Sequence, residues 1–329
     1  QRSLVGSEMC IRDSVWSVWA LGKKFSNVSQ ALSRLRGWIQ AGAALLTNLH
    51  LPNFLKGGLY QGAGKTVCVP GLNCYSCPAA SGACPIGAFQ AVVGSSKFSF
   101  SYYITGFLIL LGVLLGRFIC GFLCPFGWFQ ELLHKIPTKK LSTKKLKPLT
   151  YLKYAVLLVM VFLLPAFLVN DVGMGDPFFC KYLCPQGVLE GAIPLSLANS
   201  GIRAALGSLF TWKFSILLAV IVLSIVFYRP FCKWLCPLGA FYALFNRVSL
   251  FQMKVDRSKC VSCGKCAKAC KMDVDVTKTP NHTECIRCGM CVRACPTSAV
   301  SFRYGFGDGK KEPANELKTA NELKTEETK

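Results

Sequence analysis

The chain has 329 residues, 52% of them hydrophobic and 16% charged, and a mean hydropathy of +0.39. That is too apolar for an ordinary soluble domain and predicts passage through a bilayer. A formal net charge of +22 raises nucleic acid as a partner, but the cations cluster between apolar runs, which argues against that class.

In chain order, residues 3–14, SLVGSEMCIRDS, read as a translated sequencing-library adapter. Residues 1–14 are therefore set aside, and Cys10 is given no role. Four apolar runs are expected to span the membrane: Trp38–Leu55, Phe100–Ile119, Tyr151–Val169 and Lys213–Phe231. Each is close to the roughly 20 residues needed to cross about 30 Å of hydrocarbon. The first is the weakest, because it contains Asn48, His50 and Pro52. Lys23, Lys24, Arg34 and Arg36 precede it, and HKIPTKKLSTKKLK at 134–147 carries six lysines. Such basic flanks mark the cytoplasmic side, so segments 57–98 and 170–212 are expected to face outward. GGLYQGAGKT at 57–66 is no phosphate loop, since Leu59 stands where the first glycine is required.

The apolar part carries a repeated element, C-x3-C-P-x-G. It appears as RFICGFLCPFGWFQ (117–130), FFCKYLCPQGVLE (178–190) and RPFCKWLCPLGAFY (229–242). An altered copy, NCYSCPAASGACPIGAFQ (73–90), keeps Cys84 but displaces its partner to Cys77 or Cys74. Recurrence at span ends suggests internal duplication. Two cysteines one turn apart share a helix face and offer half of a four-thiolate site. Proline is expected to stop or redirect the helix and glycine to allow a tight turn. The topology pairs Cys120 and Cys124 with Cys232 and Cys236 near the inner surface. It pairs Cys180 and Cys184 with Cys84 and either Cys77 or Cys74 near the outer one.

Two further runs follow, CVSCGKCAKACK (260–271) and CIRCGMCVRACP (285–296). Each is C-x2-C-x2-C-x3-C, the spacing at which three thiolates hold one four-iron cluster while the fourth reaches the neighbouring cluster. One set is Cys260, Cys263, Cys266 and Cys295; the other is Cys285, Cys288, Cys291 and Cys270. Zinc sites favour C-x2-C pairs set further apart, and disulfides need an oxidising compartment. With eight ferredoxin-type ligands, the membrane cysteines imply two 4Fe-4S clusters in the C-terminal part and two more in the bilayer.

Residues 253–304 resemble bacterial two-cluster ferredoxins. Residues 35–304 as a whole are similar to the NapH/NosR/CcoG group of polyferredoxin membrane proteins, although no flavin-binding domain of the NosR type is visible. The resemblance implies a mostly α fold: a polytopic helical bundle of about four spans with interfacial helices over 15–252. A small α+β two-cluster ferredoxin domain at 253–304 and a polar tail at 305–329 follow. It also implies an electron-transfer subunit in the cytoplasmic membrane with its ferredoxin domain in the cytoplasm. A soluble ferredoxin or dehydrogenase is the expected donor, and an extracytoplasmic or quinone-linked protein the partner. Two other readings stay open: a quinol dehydrogenase subunit, in which the membrane supplies the donor, and a CcoG-like copper-reducing assembly factor. With three histidines in all, a bis-histidine haem is poorly supported. Glu131 and His134 are read as a solvated pair in preference to a proton relay. Arg117 and Arg229, each three residues before a cysteine, are expected to offset thiolate charge.

Overall fold

The computed structural model describes residues 27–95, 102–171 and 174–305; the adapter-like segment and residues 306–329 of the tail lie outside them. Helix α1 runs over 27–47. The repeated elements follow: α2 (Pro85–Gly94), α3 (Tyr102–Leu115), α4 (Phe118–Phe122) and α5 (Pro125–Leu133). A long helix, α6 (Leu146–Phe167), leads to α7 (Gly187–Ala198) and α8 (Ser208–Val226). The last copy forms α9 (Pro230–Trp234) and α10 (Pro237–Phe245).

The helical stretches take their local form from proline. Leu157–Leu163 and Gly187–Ala192 are π-helical, and Pro165 and Pro194 follow within two residues. The wider turn relieves the clash between a proline ring and the carbonyl four residues back.

Among the described residues, two helices are long and apolar enough to cross a membrane, α6 and α8. Their apolar windows have mean hydropathies of 1.9 and 2.3, yet only 28% and 17% of each is buried. A core helix of that composition would be covered. Here Leu158, Phe162, Leu218 and Val222 point outward, which suits hydrocarbon. Of the four expected spans, two meet that length and composition among the described residues. Trp38–Leu55 is not one helix, because α1 stops at 47 and only the short Asn53–Lys56 turn follows. Phe100–Ile119 is broken at Gly116, which takes a left-handed φ of 54°. A Cβ there would lie 2.6 Å from the Arg287 guanidinium, so the break is fixed by what packs against it.

The C-terminal part is bracketed by an antiparallel pair, β1 (Phe251–Val255) and β2 (Val300–Tyr304), with Phe251 opposite Tyr304 and Val255 opposite Val300. Between them lie two one-turn helices, α11 (Lys265–Ala269) and α12 (Met290–Ala294). Each follows a left-handed glycine, Gly264 (φ 69°) or Gly289 (φ 75°). Met253, Val276, Val292, Val300 and Phe302 form its own small core.

This part is fastened to the helical body by polar contacts. Arg287 donates to the Leu115 carbonyl (2.8 Å) and the Asn246 carbonyl (2.6 Å). Asn246 in turn donates to the carbonyls of His282 (2.6 Å) and Cys285 (3.0 Å). At Gly121 a Cβ would sit 2.3 Å from the Ile286 carbonyl oxygen, so only glycine admits this approach. Helix α1 touches both parts: Phe302 N donates to Ser29 Oγ (3.0 Å), and Arg36 and Gln40 donate to the Gly121 carbonyl (3.0 and 2.9 Å).

Candidate iron–sulfur centres

In all four repeated elements the second cysteine is extended; in three its proline is the first residue of the next helix, and Pro185 lies just ahead of its helix. Cys84, Cys124 and Cys236 have φ/ψ of −70/125°, −87/115° and −71/111°, and Cys184 has −72/113°. A residue before proline is driven to this region, and proline suits the first helical position because its missing N–H is not needed there. The proline therefore redirects the chain: in the three regular copies the short helix before the step ends ahead of the second cysteine, and in each copy a new helix begins at or just after the proline. The glycine two residues later takes no left-handed turn at any of the four positions. Its amide instead points back at the cysteine sulfur in each copy, at 3.3 Å for Gly239 N to Cys236 Sγ. Its missing side chain also leaves room for the paired copy. A Cβ on Gly87 would lie 3.7 Å from Cys180 Sγ, one on Gly187 3.7 Å from Cys74 Sγ, and one on Gly127 2.9 Å from the Arg229 guanidinium.

The copies lie near one another in two groups. Cys236 lies within electrostatic reach of Cys232, Cys120 and Cys124. Cys180 does so with Cys184, Cys84 and Cys74. The second group surrounds a cavity of about 520 Å³ that Cys68 also lines. Of Cys74 and Cys77, Cys74 is the one that lines this cavity. Cys77 turns toward Asn48 Oδ1 (3.5 Å) and packs with Ala79 and Ala80. In the C-terminal part, Cys270, Cys285, Cys288 and Cys291 ring a small cavity of about 20 Å³. Cys266 and Cys295 face each other, with Cys260 and the exposed Cys263 on the adjoining loop.

The separation expected between the two membrane groups is not found. Adjacent amides serve both: Leu72 N–H points at the Cys124 sulfur and Asn73 N–H at the Cys84 sulfur. Two such sulfurs stand on the order of 10 Å apart or less, far short of a bilayer's thickness. Tyr242 lies between the groups, near Cys120, Cys124, Cys84 and Cys68. Cys270 and Cys288 pack on the same core as Cys120, Cys124 and Cys236, so three cysteine groups are contiguous.

The position six residues past the second cysteine holds contacts the sequence reading missed. Gln130 Nε2 donates to Cys232 Sγ (3.2 Å) while its Oε1 accepts from Phe231 N (3.2 Å). Gln90 repeats this with Cys180 Sγ (3.2 Å) and Phe179 N (2.9 Å). In the other two copies the position is Glu190, which accepts from Cys74 N (3.0 Å), and Tyr242, which donates to the Pro70 carbonyl (3.1 Å). Burial pushes the Glu190 carboxyl up to about 7. Aligning CPIGAFQ, CPFGWFQ, CPQGVLE and CPLGAFY exposes this column.

Each flanking arginine is held by a carboxylate. Arg117 pairs with Glu284 (3.0 Å), which Lys153 also reaches, and Arg229 pairs with Glu131 (2.9 Å), shared with Arg36. Glu131 is thus engaged by two arginines, and His134 is turned to the Ser224 carbonyl (3.3 Å), not to Glu131. Fully buried Arg117 and Arg229 each keep an Nη2 without a hydrogen-bond partner, although both guanidinium groups lie near the cysteines. Such orphaned donors beside four thiols suit an anionic group between them. Among the described residues no three His, Cys, Asp or Glu side chains converge on a single metal ion. A four-iron cube is wider than one ion, and its thiolates must stand around a space. The all-sulfur donor set, the inward amides and the orphaned guanidinium nitrogens fit a 4Fe-4S cluster.

A helical apolar body continuous with a twofold C-x2-C-x2-C-x3-C domain, with cysteine groups strung through one core, defines a ferredoxin-type carrier with several centres. Comparison with known proteins agrees. One 4Fe-4S binding domain family, Fer4_5, matches residues 82–102, 99–144, 153–193 and 209–258; another, Fer4, matches 253–274 and 279–301. MJ0750 of Methanocaldococcus jannaschii is 32% identical over 60% of this chain and 77% of its own length. MauN of Paracoccus denitrificans, a methylamine utilization ferredoxin-type protein, is 30% identical over 56% of each chain. NosR of Stutzerimonas stutzeri, a regulatory protein, is 29% identical over 49% of this chain and 21% of its own. No solved structure matches. The chain belongs to the NapH/NosR-type family of 4Fe-4S polyferredoxin proteins, and its cofactors are 4Fe-4S clusters.

Proposed function

We propose that this protein relays electrons through four clusters, from a donor at its ferredoxin domain to an acceptor at the group around Cys84. The clusters supply one-electron transfer when bound; the chain fixes where they sit. Cys260, Cys263, Cys266 and Cys295 hold the first, and Cys270, Cys285, Cys288 and Cys291 the second. Cys120, Cys124, Cys232 and Cys236 hold the third, and Cys74, Cys84, Cys180 and Cys184 the fourth. The observation that carries this reading is the pair of adjacent amides at Leu72 and Asn73, each aimed at a sulfur of a different group. The domain division at 253, a multi-pass arrangement and a cytoplasmic ferredoxin domain are part of the proposal. Lysines 135, 139, 140, 144, 145 and 147 support that orientation. Anaerobic iron analysis tests the count: about sixteen iron atoms per chain are expected, and about eight would leave only the ferredoxin pair.

A specific feature favours a quinol as the redox partner at the fourth group. Its cavity is lined by Asn73 and Gln186, whose buried Oδ1 and Oε1 have no partner. Asn73 Nδ2 is committed to the Thr47 carbonyl (3.2 Å), so its oxygen cannot swap away. Two unpartnered acceptors on residues that line a cavity suit a ligand with hydroxyl donors. Reduction of the fourth cluster by menaquinol, lost on Asn73→Leu, tests this reading.

The chain also tunes its centres. A hydrogen bond to a ligating sulfur stabilises the reduced, more negative state. Gln130→Leu removes one at Cys232 and is expected to lower the third centre's potential by about 50 mV, the equivalent of ~1 kcal/mol. Arg229→Gln removes a full charge and is expected to lower it by about 100 mV. Potentiometric EPR titration reads both.

A further inference from the structure

We propose that the cavity beside Cys288 binds the phosphate headgroup of one anionic phospholipid, a reading that rests on the protein's lying in a membrane. The cavity, about 250 Å³, opens between α1, α5 and the ferredoxin domain. Exposed Arg34, Lys135, Lys271 and Arg293 line it, together with buried Arg36 and His134. Its carboxylate, Glu131, is already taken by Arg36 and Arg229. Among the described residues, no carboxylate lies within ion-pair distance of the four exposed cations. Like charges facing one concavity repel, and a bound anion offsets that repulsion.

Depth and surroundings identify the anion's source. His134 Nδ1 faces the Ser224 carbonyl (3.3 Å) and Lys140 Nζ donates to that of Ile225 (2.7 Å). Both carbonyls belong to the last turn of α8, the more apolar of the two candidate spans. The cavity is therefore level with the point where α8 leaves hydrocarbon, which is where headgroup phosphates lie. The same two helices present apolar side chains beside it: Leu35 (53% exposed) and Trp38 (79%) on α1, and Leu132 (49%) on α5 with Ile136 (42%) just beyond. Tryptophan is favoured at headgroup level, and exposed leucines suit acyl chains. A free phosphate uses none of these. Basic pockets beside spanning helices are a recurrent seat for anionic headgroups.

The test uses the full chain with its clusters, purified in dodecyl maltoside and stripped of lipid. Tryptophan fluorescence follows titration with dihexanoyl phosphatidylglycerol, dihexanoyl phosphatidylcholine and inorganic phosphate. Phosphatidylglycerol is expected to bind at least about tenfold more tightly than phosphatidylcholine, and equimolar phosphate not to displace it. The double variant R34Q/K135Q is expected to weaken phosphatidylglycerol binding about 30-fold, with the visible cluster absorbance unchanged. Should the double variant not fold, K135Q alone is expected to weaken it about fivefold. Equal affinity for the two lipids, or an unaltered variant, overturns the proposal. So does displacement by phosphate, which marks a free-anion site, or by a soluble acidic ferredoxin, which marks a protein-docking face. Lipid selectivity in protein lacking cluster absorbance would uphold this site while removing the electron relay.

Discussion

Replacing Cys124 and Cys232 together with alanine will lower bound iron from about sixteen to about twelve atoms per chain and stop reduction of the fourth centre from the ferredoxin side. The pair takes one sulfur from each copy, so neither remaining half-site can hold a cube alone. Cys124 is the more instructive of the two, because its sulfur receives the Leu72 amide while Asn73, the next residue, serves Cys84. Removing the third centre thus opens a gap in an otherwise contiguous series. Anaerobic EPR should lose one set of signals and keep those of the ferredoxin pair, with the Cys84 group still reducible by a small chemical reductant. Loss of all signals would mean that the third centre is needed for folding. Unchanged iron would mean that the four cysteines around it hold none.

The ferredoxin-type domain and its cluster type were legible because thiolate spacing is dictated by the cluster, a local constraint written directly in sequence. Which of Cys74 and Cys77 joins the group was not, because it depends on Asn48 and the Ala79–Ala80 turn drawing Cys77 aside. Whether the recurring Cys-Pro step stops a helix or redirects the chain into a new one was not legible for a different reason. Proline both ends and begins helices, and only the extended cysteine before it shows which. Hydropathy registers apolar length but not the Gly116 break or the stop after residue 47, so two of the four expected runs are not single long helices among the described residues. The same counting placed the two membrane groups at opposite faces. Residues 70–73, a stretch with no motif, bring them together through backbone N–H groups that no side-chain pattern reveals. Tyr242 shows the limit again: its hydroxyl bonds Pro70, a contact between residues far apart in sequence.

Glu284→Ala is expected to cost about 3–5 kcal/mol of stability, because it strands two buried cations at once. Arg117 and Lys153 have fully buried side chains and both bond this one carboxylate. Burial alone would push the carboxyl up, yet Arg117 and then Lys153 outweigh it and hold it below the usual carboxylate range. The effect should reach further than stability, because Glu284 precedes Cys285 and ties the second ferredoxin group to the helix break that leads into Cys120. The Arg117 backbone N–H donates to Asn246 Oδ1 (3.2 Å), and Asn246 also donates to the carbonyls of His282 and Cys285. Losing the carboxylate loosens one strut, leaving Asn246, Arg287 and the Lys233–Asp273 pair (3.1 Å) among the others. Iron content should therefore stay near wild type while electron transfer from the ferredoxin pair to the third centre slows, as read by stopped-flow reduction. Glu284→Gln, which keeps the shape and one acceptor oxygen, should recover part of the stability and little of the charge pairing. If Glu284→Ala melts at the wild-type temperature and transfers at the wild-type rate, the Arg117–Glu284–Lys153 cluster does not dock the two parts, and contacts such as Gly121 against Ile286 must suffice.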